Sequence, residues 1–157
     1  MAEITKEQIE AAAKKLMEGY TLGAVKGISE SELEAVYSVG FNFYQTGRIE
    51  DAQKIFTFLV VFNHLSPKFW MGLGAVYQVK KEFDQALTAY GYASFLDLED
   101  PRPQYHAAEC FWAKGDRANA LSALTALEEF APKNTERGQA YRAKAAELKA
   151  KIEQQSV

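Results

Sequence analysis

Cysteine is almost missing from this 157-residue chain: Cys110 stands alone, which excludes an internal disulfide and any zinc site built on several thiolates. That scarcity suits a reducing compartment. No run of apolar residues approaches the roughly 18 that span a bilayer, and the opening MAEITKEQIEAAAKKL is charged where a secretory signal would be apolar. The expected location is the cytoplasm, without membrane insertion. A basic excess is absent too: 18 Lys and Arg stand against 21 Asp and Glu, a formal charge of -3, so nucleic acid is not expected as a direct partner. Residues 133–157 are the local exception, six Lys or Arg against three Glu, and read as a solvated final helix. With only His64 and His106, no Ser-His-Asp or paired-carboxylate arrangement can be assembled on an all-helical pattern, so neither an enzyme nor a cofactor is expected. What is plentiful is apolar surface: 48% hydrophobic residues with 25% charged describe a globular chain that is one domain by length, residues 1–157.

The chain repeats itself every 34 residues, in blocks starting at Leu33, Pro67 and Pro101. Block position 8 carries Gly40, Gly74 and Ala108, position 11 carries Phe43, Tyr77 and Phe111, and position 20 carries Ala52, Ala86 and Ala120. Position 4 holds Val36, Trp70 and Gln104, position 7 Val39, Leu73 and Ala107, position 24 Phe56, Tyr90 and Leu124, and position 27 Leu59, Ala93 and Leu127. This period and the WMGLGAVY core are the tetratricopeptide signature. Small residues at 8 and 20 let two helices approach, and bulky residues at 4, 7, 11 and 24 fill the space around that contact. The expected fold is all-α, three tandem repeats (33–66, 67–100 and 101–134) in a right-handed superhelix between an N-terminal helix over 5–20 and a C-terminal helix over 135–152.

Capping chemistry places the boundaries. Thr5 with Gln8 reads as a capping box and Ile4 with Ile9 as a hydrophobic staple, opening a helix whose stripe is Ile9, Ala13, Leu16 and Tyr20. TLGAVKGI reads as a loop before a second box, Ser29 with Glu32, and a second staple, Ile28 with Leu33. Ser66-Pro67 and Asp100-Pro101 each read as an N-cap followed by proline at the first helical position. Within each repeat the turn falls near position 15, at Gly47, Lys81 and Gly115. The final helix is expected to bury Ala140, Tyr141, Ala145 and Leu148.

Positions 2, 5, 9 and 12 of each first helix share one face, opposite the second helix, and are expected to line a concave groove. They are Glu34, Tyr37, Phe41 and Tyr44 in repeat one, Lys68, Met71, Ala75 and Gln78 in repeat two, and Arg102, Tyr105, Glu109 and Trp112 in repeat three. Five aromatics and a methionine on a face the core does not need point to a partner, and the tyrosines suit an extended peptide. Gly72 and Ala75 leave room for an inserted side chain. The candidate peptide-binding residues are therefore Tyr37, Phe41, Tyr44, Met71, Ala75, Gln78, Tyr105, His106 and Trp112. His106 and Cys110 have a spacing that can ligate metal, but two ligands without a third make no site, and Gly72-Leu73-Gly74 lacks the strand that a nucleotide loop requires. A clamp for a C-terminal carboxylate needs Lys and Asn where Tyr37 and Phe41 stand.

FYQTGRIEDAQKIFTFL, PKFWMGLGAVYQVKKEFDQALTAYGYA and PRPQYHAAECFWAKGD resemble the class II chaperones of bacterial type III secretion systems, the SycD/LcrH-like family, from LGAVKGI through repeat three. The resemblance implies a bacterial, cytoplasmic, non-catalytic chaperone that holds hydrophobic translocator proteins before export. It implies that a short extended segment near the translocator N-terminus, of the P-x-L-x-x-P kind, lies in the groove against Tyr37, Phe41 and Tyr44 of YSVGFNFYQTGR. It also implies a homodimer when client-free, through the N-terminal helix and first repeat, and for some members co-regulation with an AraC-type transcription activator.

Overall fold

The computed structural model describes residues 5–155, all of whose regular elements are helices. In order they are α1 (Lys6–Met17), α2 (Leu22–Lys26), α3 (Glu30–Gln45), α4 (Ile49–Phe62), α5 (Pro67–Val79), α6 (Phe83–Leu96), α7 (Arg102–Ala113), α8 (Arg117–Phe130) and α9 (Glu136–Gln154). The pairs α3/α4, α5/α6 and α7/α8 are the three repeats. The chain divides between Leu65 and Ser66 into two compact units.

The 34-residue columns are core columns. Ala52, Ala86 and Ala120 are completely buried, as are, to within 1%, Phe56, Tyr90 and Leu124 at position 24 and Leu59, Ala93 and Leu127 at position 27. In repeats one and two the contact at position 8 leaves no room for a Cβ: one on Gly74 would lie 2.6 Å from Tyr90 Cε1, and one on Gly40 2.7 Å from Ile55 Cγ2. All three turn residues adopt the left-handed region, Gly47 at φ 77°, Lys81 at 60° and Gly115 at 78°. Lys81 carries a Cβ in a conformation that costs an L-residue free energy.

In the first unit both capping boxes form, Thr5 with Gln8 and Ser29 with Glu32. The Ser29 amide and hydroxyl both donate to Glu32 Oε2, and these two bonds hold its carboxyl below the usual range. The staple partner Ile4 lies outside the described residues. TLGAVKGI is not a loop: Thr21 caps α2 by accepting from the Ala24 amide at 3.2 Å, and Gly27 closes it at φ 74°. Gly23 lets this turn approach α4, since a Cβ there would lie 3.0 Å from Phe62 O. Helix α1 ends at Met17, so Tyr20 lies beyond it, and none of its residues is buried. Val39, expected beside the intra-repeat contact, is 47% exposed. Its counterpart Leu73 is buried; among the described residues the helices before α3 are α1 and α2, which pack on each other, and α2 packs on α4 rather than on α3.

In the second unit Ser66 precedes Pro67 but makes no side-chain capping bond. Helix α7 starts one residue later than expected, at Arg102, because Pro101 takes the cap position; Asp100 Oδ1 still accepts from the Arg102 amide at 3.0 Å. Helix α9 packs on α7 and α8 through Ala145, Leu148 and Ile152, with Tyr141 half-buried beside them. Ala140 is exposed, because it sits about 100° round the helix from Tyr141. Gly138, at the start of that stripe, is required by the loop before it: a Cβ there would meet Pro132 O at 1.8 Å.

Candidate functional site

In the first unit the candidate face is built on α3. Its 3.6-residue period lines up Tyr37, Phe41 and Tyr44 along one side, bordering the buried Leu33 and Gly40. Tyr37 is half-buried, its ring centroid 5.7 Å from that of the buried Phe56 and tilted by 58°. On its outer side it stacks with Phe41 at 6.2 Å and 13°. Phe41 remains 44% exposed and Tyr44 half-buried. One ring is fixed by the core and the next extends that fixed surface into solvent, an arrangement that lowers the ordering entropy a bound chain must overcome.

In the second unit Met71, Ala75 and Gln78 on α5 and Tyr105, His106 and Trp112 on α7 are all half-buried. Helix α9 accounts for part of that burial. Tyr105 meets Tyr141 edge-on at 5.5 Å, Lys144 Nζ lies 4.5 Å from the Tyr141 ring centroid, and Trp112 packs against the α8/α9 cluster. Tyr105 and Trp112 are therefore partly packing residues, which the spacing did not indicate.

The sequence reading also missed a chain of hydrogen bonds. The Tyr90 hydroxyl donates to Gln78 Oε1 (2.7 Å), Gln78 Nε2 donates to Glu109 Oε2 (3.1 Å), and His106 Nδ1 lies 2.8 Å from the same oxygen. The His106 ring stacks on Tyr90 at 5.5 Å and 25°. Burial pushes the Glu109 carboxyl up, but the bonds from His106 and Gln78, with the charges of His106 and Lys144, outweigh it and leave the group below its usual range. Burial, then the Glu109 charge, raises the Tyr105 phenol. One signal was available: position 24 is Phe56, Tyr90 and Leu124, so a hydroxyl there serves something other than packing.

Cys110 is fully buried, and burial pushes its thiol up to about 12, so it stays protonated and is a small apolar core residue. Among the described residues no group of three His, Cys, Asp or Glu side chains could hold a metal ion, and no helix is long and apolar enough to cross a membrane.

The tetratricopeptide repeat family profile matches residues 33–62 and 67–100. The low calcium response locus protein H of Yersinia pestis is 39% identical over 132 residues, covering 84% of this chain and 79% of that protein. A chain in the crystal structure of a type III secretion complex from Aeromonas hydrophila superposes with a TM-score of 0.86 at 32% identity, covering 93% of this chain and 97% of that one. The Yersinia enterocolitica type III secretion chaperone SycD, in complex with a peptide of the translocator YopD, gives 0.76 at 35% identity over 83% of this chain and 98% of that one. SycD in an alternative dimer gives 0.74 at 36% identity over 82% and 96%.

Proposed function

Because this chain belongs to the LcrH/SycD family of type III secretion translocator chaperones, we propose that it is a cytoplasmic, non-catalytic chaperone that binds a hydrophobic translocator before export. It holds an extended segment near the client's N-terminus against the faces of its first helices, and it self-associates when client-free. The observation that carries this reading is the α3 face, where Phe41 offers a large exposed ring beside Tyr37, which the core keeps in place. Rings of this kind bury proline and leucine side chains with little loss of their own freedom. In the second unit Met71, Ala75, Gln78, Tyr105 and His106 are further peptide contacts, with Trp112 contributing what the α8/α9 cluster leaves uncovered.

The test is to titrate a peptide carrying the P-x-L-x-x-P pattern against wild type, Phe41→Ala and Tyr44→Ala. Truncating an aromatic anchor costs about 2 kcal/mol or more, roughly a thirtyfold loss of affinity. Both variants should keep wild-type helicity by circular dichroism. Equal affinities in all three proteins would move the binding site away from α3.

A further inference from the structure

The faces of α5 and α7 hold, among apolar side chains, one connected polar group: Gln78 bonded to Glu109, with Tyr90 behind the first and His106 beside the second. Packing does not call for it. Phe56 and Leu124 fill the column of Tyr90 without a hydroxyl, and Phe41 and Ala75 fill that of Glu109 without a charge. Tyr90 is 1% exposed, its ring wedged against Gly74, yet its hydroxyl reaches Gln78. That bond fixes the amide's orientation: with Oε1 accepting from Tyr90, Nε2 must face Glu109. One Nε2 hydrogen goes to Glu109, and the amide carries a second. Beside it stands a carboxylate whose Oε2 receives two bonds and which also interacts with the Tyr105 hydroxyl, leaving room for one further donor among its four lone-pair sites.

A donor and an acceptor side by side match what an extended peptide carries at every residue, one N–H and one C=O. Apolar pockets that bury alternate side chains would strand those groups away from water, and a stranded group forfeits its full hydration. We propose that Gln78 and Glu109 bind the main chain of the client segment, Glu109 accepting from an N–H and Gln78 donating to a C=O, and that Tyr90 is the positioning residue that aims Gln78. This rests on the reading that the segment lies on the first-helix faces. It adds that recognition on α5 and α7 is of backbone rather than of side-chain identity, so clients with different sequences there can be accommodated.

The experiment is an ester scan of the P-x-L-x-x-P peptide, each amide in turn replaced by an ester, which removes one N–H without adding bulk. Each peptide is titrated against wild type, Glu109→Met, Tyr90→Phe and Gln78→Met. In wild type one or two ester positions should weaken binding by about tenfold, the size expected for a bond to a charged acceptor. In Glu109→Met the same esters should cost less than about twofold, because the acceptor of that N–H is gone, while Tyr90→Phe and Gln78→Met should weaken every peptide of the series by a similar factor, because the bond they remove is to a C=O that the esters keep. Tyr90→Phe should fold normally, as Phe56 does in the same column. Ester penalties that are equal in wild type and Glu109→Met, or absent from wild type, or an affinity for the unmodified peptide that is the same in wild type, Tyr90→Phe and Gln78→Met, would overturn the proposal. If Phe41→Ala weakens binding while the ester pattern ignores Glu109, this inference alone fails; if Phe41→Ala and Tyr44→Ala bind like wild type, the reading beneath it fails.

Discussion

Of the helices that flank the repeats, α1 and α9 both show an apolar stripe in sequence, but only one of them is part of a core. Helix α9 buries Gly138, Ala145, Leu148 and Ile152 against α7, α8 and the loop before it. None of the residues of helix α1 is buried: Ile9 is 57% and Leu16 43% exposed, and residues of α1 and α2 line an open groove of about 740 Å³. An amphipathic pattern reports that a helix has a face to bury, not that the same chain supplies the cover. For α9 the cover is internal, and the helix caps the second unit as a repeat array requires. For α1 the described residues supply no such cover; SycD of Yersinia enterocolitica, a relative of this chain, forms a dimer.

Truncation should separate the two helices. Ile152→Ala, at a side chain 1% exposed, should lower stability by about 2–5 kcal/mol in urea unfolding. Removing residues 1–20 should change stability by less than about 0.5 kcal/mol, the range for surface changes, while light scattering shifts from dimer to monomer at tens of micromolar. A large stability loss on that deletion, or a wild-type monomer, would erase the distinction. Inside the repeats Gly74→Leu should cost about 1–3 kcal/mol or more, since even a Cβ would press on the Tyr90 ring. An unchanged melting temperature would show that position 8 is not the close contact.

The smallest expected effect concerns pH. The folded Glu109 carboxyl lies below its ordinary value of 4.5, so it contributes stability that is fully present above that pH and lost as pH falls through the folded value. Acid unfolding of Glu109→Gln should therefore begin less steeply below pH 4.5 than that of wild type. Parallel acid limbs in the two proteins would mean that the Gln78–Glu109–His106 bonds add no stability.

Most of the fold was legible because the repeat is written in side-chain volume, which buried columns enforce: Gly74, Ala86, Tyr90 and Ala93 sit where their spacing put them. The three turns were legible for a related reason, a left-handed residue at one place in the grid, although Lys81 shows that the position rather than the residue type is what repeats. The helix α2 was overlooked because its two glycines suggested a loop, when Gly23 serves close packing and Gly27 a C-cap. Val39 was misplaced because a column says what packs inside a repeat but not whether a neighbouring helix is present to cover it. Of the candidate faces, the aromatic rows were readable from position alone. The bond from Tyr90 to Gln78 was not, because it joins a core column to a surface column, and periodicity treats these as independent.

The central claim is that the aromatic face of α3 keeps a translocator soluble. Co-expressing the chain with the protein encoded beside it in its native operon, and measuring how much of that protein remains soluble and co-elutes, tests it most directly. Wild type should yield a soluble complex, and a Phe41→Ala/Tyr44→Ala double variant should leave the client insoluble or degraded while the chaperone itself stays folded. Equal recovery of client with wild type and the double variant would contradict the account.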